Sequence, residues 1–536
     1  MNTFGRRTFL AGVGAAGAAV AAVGSGVGSA TAEPTAPRPG RIPVRREEHR
    51  VVVIGSGFGG GVTALRLTQA GVPVTMLERG RRWATGPNAN TFAEPTSPDK
   101  RMLWYRSAPT LFGRPLVVEP YVGLIEAVAG ENMSALCAAG LGGGSLVYQG
   151  MTLQPIEPVF YTQFPSRMDY GLLARTYYPR VAKMLQIETA PDALIDSPEY
   201  LAPRVFRDHC IKAGLPVSKI PMPIDWSYAL AELRGEMKRS YTNGMGAIGV
   251  NNGGKHSVDV TYIKQAEATG RLDLRLQHEV TDVIRAKDGR WTVRVNRISA
   301  AGQTLETIEM TTRALVMAAG TMNTTKLLMR AQAHDTIPDL PAGVGTGWGS
   351  NGDRIYTWTD FADAMGTRGQ GGPVVFGSLD WSGDPRKAAT VIQASIPTLG
   401  TDPRTTMMVG YGVSDARGKF VWDRAQDQAV LHWPRDGDHV LQDTRITPLT
   451  QKIAGPSSFL FDTFKPYPST WHPLGGAPMD VVCDLQGRVN GHRGLYVLDG
   501  ALMPGNTAAC NPSMTIAAIA EWAIDRIIPE DVGTVF

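Results

Sequence analysis

Apolar and polar positions fall into two regimes along this chain. Four consecutive apolar residues, Val51 to Ile54, are bounded by glycine, the mark of a strand buried on both faces of a parallel sheet. Helix-like spacing follows through "GVTALRLTQAG", and then a second short run, "PVTMLE", ends on Glu78. The order strand, turn, amphipathic helix recurs at residues 313–331 ("RALVMAAGTMNTTKLLMRA") and again at 494–528, the last helix having Asn511 suited to the N-cap and Pro512 to the first helical position. Between these, residues 272–298 ("LDLRLQHEVTDVIRAKDGRWTVRVNRI") alternate with period two and predict antiparallel strands turning at Lys287-Asp288-Gly289. The pattern predicts an α/β chain with no internal repeat.

The first turn carries chemistry. Gly55, Gly57 and Gly60 form GxGxxG in strand, turn, helix, strand, acid order. Gly55 makes the tight turn, Gly57 lets backbone approach a pyrophosphate, and Gly60 lets the helix pack closely on the strand. The helix N-terminus would direct amides and its positive dipole end at the phosphates. Glu78 stands at the offset of an acid that binds ribose hydroxyls, which fits FAD or NAD and disfavours NADP.

Composition narrows the partners. A formal charge of +4 on 536 residues, without a long Lys/Arg run, gives no nucleic-acid surface and points to small molecules. Four cysteines without CxxC or Cys/His pairing argue against structural zinc. The first 32 residues hold Arg6-Arg7, a weakly apolar Ala/Gly/Val stretch and a small-residue cleavage pattern, Ala30-Thr31-Ala32. We read them as a twin-arginine signal peptide, with a membrane anchor as the alternative, followed by a Pro-rich linker over 33–43; the expectation is a secreted protein. A lone histidine, His472 in "STWHPLGGAPMD", could be a metal ligand, a packed core residue or a proton acceptor. No His, Asp or Glu near it makes a ligand spacing, so no metal is expected.

The fingerprint at 51–80, "SPDKRMLWYRS" (97–107), "GLGGGSLVYQGMTLQP" (140–155), "NNGGKHSVDVTYI" (251–263), "VGTGWGSNGD" (344–353), "WHPLGGAP" and "DGALMPGNTAACNPSMTIAAIAE" together resemble the glucose-methanol-choline oxidoreductase family. The closer likeness is to its bacterial cholesterol oxidase branch, which binds FAD non-covalently. The resemblance implies an α/β fold: a Rossmann-like FAD-binding domain (44–82, 256–346 and 487–536) with an interleaved α+β substrate-binding domain (83–255 and 347–486) over a mixed sheet. It implies FAD as cofactor, held by Gly55, Gly57, Phe58, Gly59, Gly60, Glu78, Gly144, Met151, Val280, Gly500 and Ser513. By the same resemblance His472 and Asn511 are the catalytic pair, His472 taking the proton of a substrate hydroxyl and Asn511 adding a second polar anchor. The partners implied are a hydrophobic small-molecule alcohol and O2, with no oligomeric state implied. Residues 83–120, rich in Pro, Arg and aromatics, are a candidate lid that would touch lipid surfaces transiently.

Two departures from the branch change the expected reaction. Its active-site glutamate, which moves a proton during steroid double-bond isomerisation, has no counterpart: Ala394 stands in its column with Gln393 beside it, and no glutamate occurs from Phe361 to Val430. Tyr148 and Gln149 replace the branch's Asn and Gly; Tyr148 either packs or offers a phenol to the substrate. The reading is FAD-dependent oxidation of a secondary alcohol on a sterol-like substrate to a ketone, O2 becoming H2O2, without efficient isomerisation. The alternatives are oxidation of a non-sterol hydroxylated metabolite, and a ligand-binding flavoprotein without turnover.

Overall fold

A computed structural model describes residues 42–536, apart from 95–96, 112–113, 367–368, 373 and 397–401. The expected signal peptide and most of the linker lie outside the described residues. One seven-stranded sheet is built around β1 (Val44–Ile54), whose four-residue apolar run is buried on both faces. It pairs in parallel with β2 (Val74–Glu78), and β2 in turn with β3 (Leu272–Leu276). On the other side β1 runs parallel to the long β6 (Thr304–Met317), beyond which lie β5 (Trp291–Ile298) and β4 (His278–Arg285), both antiparallel to their neighbours.

This corrects the reading of 272–298. Only β4 and β5 form the expected hairpin, whereas 272–276 is a parallel strand beside β2, separated from β4 by Gln277 in a left-handed conformation (φ 56°). Alternation predicts strands but says nothing about which neighbour each one chooses.

A second, six-stranded sheet contains β7 (Arg354–Asp360), β8 (Phe376–Asp380), β9 (Ala389–Ala394), β10 (Thr405–Gly412) and β11 (Ser458–Asp462), with a short edge strand at Ser218–Lys219. The chain then returns to the first sheet as β12 (Leu495–Val497), which runs parallel to the last residues of β6. Three helices complete the cofactor side: α1 (Phe58–Gln69), α2 (Thr321–Ala333) and α3 (Ser513–Asp531). Glu521 of α3, fully buried, receives two bonds of 2.7 Å from Arg66 of α1, and Arg180 and the Tyr262 hydroxyl donate to the same carboxylate. Such a charge is tolerable inside only because its acceptor sites are filled. It fastens the last helix to the first.

Helix α3 begins one residue later than predicted, with Pro512 at the cap. Asn511 therefore does not cap it. Its side chain is engaged elsewhere, as described next.

Candidate active site

One cavity of about 800 Å³ runs between the two sheets. Its walls include Gly55, Gly57, Phe58, Gly59, Glu78, Gly144, Met151, Val280, Gly500, Ser513, His472 and Asn511, residues that are up to 458 positions apart in sequence, as Gly55 and Ser513 show. Gly60 is the exception among the expected contacts. A Cβ there would lie 2.2 Å from the Gly55 carbonyl oxygen, so Gly60 serves helix-to-strand packing and does not reach the cavity.

The glycines divide by what surrounds them. Gly55 has φ +99° and lies against the carbonyl of Ala318, the residue that follows β6; a Cβ on Gly59 would come within 1.5 Å of the Leu498 carbonyl. Gly57 has no such neighbour: a Cβ there would meet nothing closer than the Gly143 Cα at 4.0 Å, and one on Gly144 would meet nothing within 4 Å. Two glycines that the protein itself does not require, both facing the same space at the start of α1, form a cradle open to a bulky anion. Glu78, buried, accepts hydrogen bonds from the Ser56 hydroxyl and, at 2.8 Å, from the Gly80 amide; burial raises its pKa. Asp499, two residues beyond β12, accepts from the Gly320 and Ala501 amides and from Thr324, and burial pushes it up to about 6. These residues fit FAD, with the glycine turn for its pyrophosphate and Glu78 for its ribose.

At the other end of the cavity His472 is 8% exposed. Its Nδ1 lies 2.8 Å from Oδ1 of Asp353, a fully buried carboxylate. The second carboxylate oxygen accepts from the Thr470 hydroxyl (2.8 Å) and from the amides of His472 (3.2 Å) and Trp471 (3.3 Å). An ionised carboxylate only accepts, so Nδ1 carries the ring proton and Nε2 presents its lone pair. No described residue bonds that nitrogen. His472 thus has the geometry of a proton acceptor oriented from behind, rather than that of a packed core residue.

Asn511 sits across the same space with its amide largely consumed. Nδ2 donates to the Met151 carbonyl (2.5 Å) and to Ser513 Oγ (2.7 Å), while Oδ1 accepts from the Leu153 amide (3.1 Å). One donor holds Met151 and the other Ser513, Oδ1 holds Leu153, and one acceptor site on Oδ1 is left for a ligand. The approach to Asn511 is strained: Ala508 and Ala509 both have φ 59°, a left-handed conformation costing on the order of 1–3 kcal/mol per residue. The side chain of Asn506 accepts from Ala508, Thr390 donates to the Ala509 carbonyl and Asn351 donates to that of Cys510.

Asn351 and Asp353 both belong to the "GSNGD" turn at 349–353, and sequence reading missed the role of each. One arm braces the loop leading to Asn511 and the other orients His472. The turn was visible as part of the family likeness, but its partners lie 119 and 159 positions away and no local signal names them. Replacing Asp353 with asparagine puts an amide against Nδ1 and favours the wrong tautomer. We expect kcat to fall by on the order of 10² with the oxidised flavin spectrum unchanged, measured by steady-state turnover beside absorbance.

The substrate end is walled by Met245, Ile248, Ile355, Met407, Val409 and Trp471, with Ser395 and Tyr148 as polar members. Strand register places Ala394 opposite Met407 and Ile392 opposite Val409, so Ala394 shares the cavity-side face. Gln393 points the other way and donates to Thr406, so it cannot replace the missing glutamate. The Tyr148 hydroxyl is buried without a partner among the described residues. The expected lid needs correction: of the described residues in 83–120 only Arg106 reaches the cavity, whereas Gly244, Met245, Ala247 and Ile248 close over its substrate end. Trp83 stacks on Phe92 and both are buried, so the aromatics of that segment are used in packing it down. The four cysteines are unpaired.

The GMC oxidoreductase family matches this chain in two blocks, residues 15–345 for its N-terminal part and 413–520 for its C-terminal part. Among curated proteins, the cholesterol oxidase of Mycobacterium tuberculosis is 26% identical over 554 aligned residues, covering 89% of this chain and 91% of its own. That of Acinetobacter baumannii is 23% identical, covering 91% and 95%. Among solved structures, pyridoxine 4-oxidase from Mesorbium loti superposes with a TM-score of 0.59 at 15% identity, over 89% of this chain and 99% of that one. A fungal aryl-alcohol oxidase gives 0.60 at 14% identity, over 91% and 100%. At these identities the two structures speak for the fold alone. The family match spans more than half of the chain and agrees with the cradle and the oriented histidine, so the protein belongs to the GMC oxidoreductases and is an FAD-dependent alcohol oxidase.

Proposed function

We propose that this enzyme oxidises a secondary hydroxyl on a sterol-like hydrophobic alcohol to the ketone, passes the electrons to O2 to give H2O2, and leaves a steroid double bond where it finds it. The observation that carries the reading is His472, with Nδ1 held by Asp353 and Nε2 free inside an apolar-walled cavity. Nε2 takes the hydroxyl proton, and Asp353 stabilises the imidazolium that results. Asn511 keeps Met151 and Leu153 in place opposite, with one acceptor site of its own turned to the ligand. Bound FAD supplies the two-electron acceptor for the hydride leaving the carbinol carbon.

Isomerisation needs a group that removes a proton from one ring carbon and returns it to another. On the cavity face of β9 that position is a methyl group, Ala394, and the neighbouring amide of Gln393 is turned away. The cholesterol oxidase relatives support the sterol reading. The unpartnered Tyr148 phenol, together with Ser395, favours a second reading in which the alcohol carries a further polar group and is not a sterol.

The test is anaerobic mixing of the holoenzyme with cholesterol, followed by air, with flavin absorbance, peroxide and conjugated enone monitored together. Flavin bleaching and peroxide without enone is the expected result. Enone formation would overturn the isomerisation claim, and absence of bleaching would turn the substrate search to polar, non-sterol alcohols.

A further inference from the structure

Lys255 is buried, 6% exposed, in a place where neither the phosphate cradle nor the proton acceptor uses it. Its ammonium donates to the carbonyl oxygens of Tyr148, Leu146 (3.1 Å) and Gly246 (3.3 Å), and it lies 4.9 Å from the centre of the Tyr148 ring. Three acceptors meet three N–H bonds. Burial pulls Lys255 down to about 7, yet carbonyls only accept, and a neutral amine would turn a lone pair on one of them, so this geometry holds the third proton in place. No carboxylate pairs with it directly among the described residues; Asp259 is the acid whose charge acts on it.

The consequence follows from peptide planarity. In a trans peptide the C=O and N–H point in opposite directions, so a Tyr148 carbonyl pinned to Lys255 turns the Gln149 N–H the other way. Gln149 lines the cavity, and its amide has no partner among the described residues. The segment lies between Gly144 of the cradle and Met151, whose carbonyl is held by Asn511. It therefore borders the end of the cavity where the chemistry occurs.

We propose that Lys255 is a positioning residue for the cofactor: it fixes the 148–149 peptide with its N–H toward the cavity and places a positive charge behind it. A cation acting through a polarised peptide favours the negative charge that FAD gains on reduction. Lys255 also joins the flavin-side turn to the 244–248 segment that closes the substrate end, so one side chain sets both walls. The inference holds whichever alcohol is oxidised.

The experiment compares holoenzymes of the wild type, Lys255→Met, Lys255→Arg and Lys255→Gln. The midpoint potential of bound FAD is measured by equilibration with a reference dye, and sulfite is titrated spectroscopically as a probe of the same electron deficiency. In Lys255→Met the equilibrium constant for two-electron reduction is expected to fall at least tenfold, about 30 mV, with sulfite binding weakened in parallel. Lys255→Arg should keep most of both values. Lys255→Gln keeps two N–H donors without the charge and should lower both as Lys255→Met does, which tests the same charge should Lys255→Met fail to retain FAD. A packing role alone would lower thermal stability and leave both readouts unmoved. Unchanged potential and sulfite affinity in Lys255→Met, or in Lys255→Gln if that is the variant that holds FAD, overturns the proposal.

Discussion

Replacing His472 with glutamine is expected to lower kcat by roughly 10³, inside the 10²–10⁴ range usual for a positioned general base, while FAD stays bound. Glutamine can still accept a hydrogen bond from a substrate hydroxyl, so binding is largely kept. It cannot take the proton away. Asp353 would lose the Nδ1 partner that its Oδ1 holds at 2.8 Å, but the Thr470 hydroxyl and two amides still anchor its other oxygen, and the glutamine amide can donate to the first. Single-turnover flavin reduction isolates the step from product release. A turnover number unchanged by the substitution would remove His472 from the mechanism. The reading of the chain as a flavoprotein that binds without turnover predicts no activity to lose in the first place.

Gly59→Ala is expected to yield a protein without flavin. The added methyl would collide with the Leu498 carbonyl at 1.5 Å, and backbone on both sides has to separate to admit it. That movement lifts the first turn of α1 away from the end of β12, where Gly57 and the helix amides form the cradle. Overpacking of this kind costs roughly 1–3 kcal/mol even where neighbours can adjust, and here the neighbour is main chain. Gly57→Ala makes the informative contrast. With no protein atom nearer than 4.0 Å, its methyl should leave the melting temperature of the apoprotein unchanged and occupy the space the phosphates need. The flavin-to-protein absorbance ratio and the apoprotein melting curve, read on both variants, separate a glycine kept for the fold from one kept for the cofactor. Equal melting temperatures with full flavin content in Gly59→Ala would show that this contact relaxes more freely than its geometry suggests.

What was legible in the sequence was contiguous. The run Val51–Ile54, the glycine turn and the acid at Glu78 form one stretch with a single periodicity, and the first sheet has the strand and helix order that this stretch predicts. His472 and Asn511 were found by likeness to a family, and the cavity does contain both. Other features depend on contacts between distant segments. Asp353 is 119 positions from His472, and Lys255 is 107 from the carbonyl it holds most closely, so neither role leaves a local trace. The Gln393 question turned on a single step of strand register, which moves a side chain from the cavity face to the opposite one. Aromatic richness in 83–120 pointed to a lid because composition cannot distinguish a ring packed against a neighbour from a ring placed over an opening.

The way the cavity is assembled also sets when it can first exist. Its walls draw on Ile54 at one extreme and Ile516 at the other, and the first sheet is completed only when β12 joins β6 and α3 locks onto α1 through Glu521. A ribosome adding roughly 5–20 residues each second makes the glycine turn early and needs about half a minute or more to reach α3. Through that interval the nascent chain holds the phosphate turn without its closing strand or last helix. Flavin capture consequently waits for α3, and the vitamin-derived cofactor acts late, as a final clasp on a nearly finished fold.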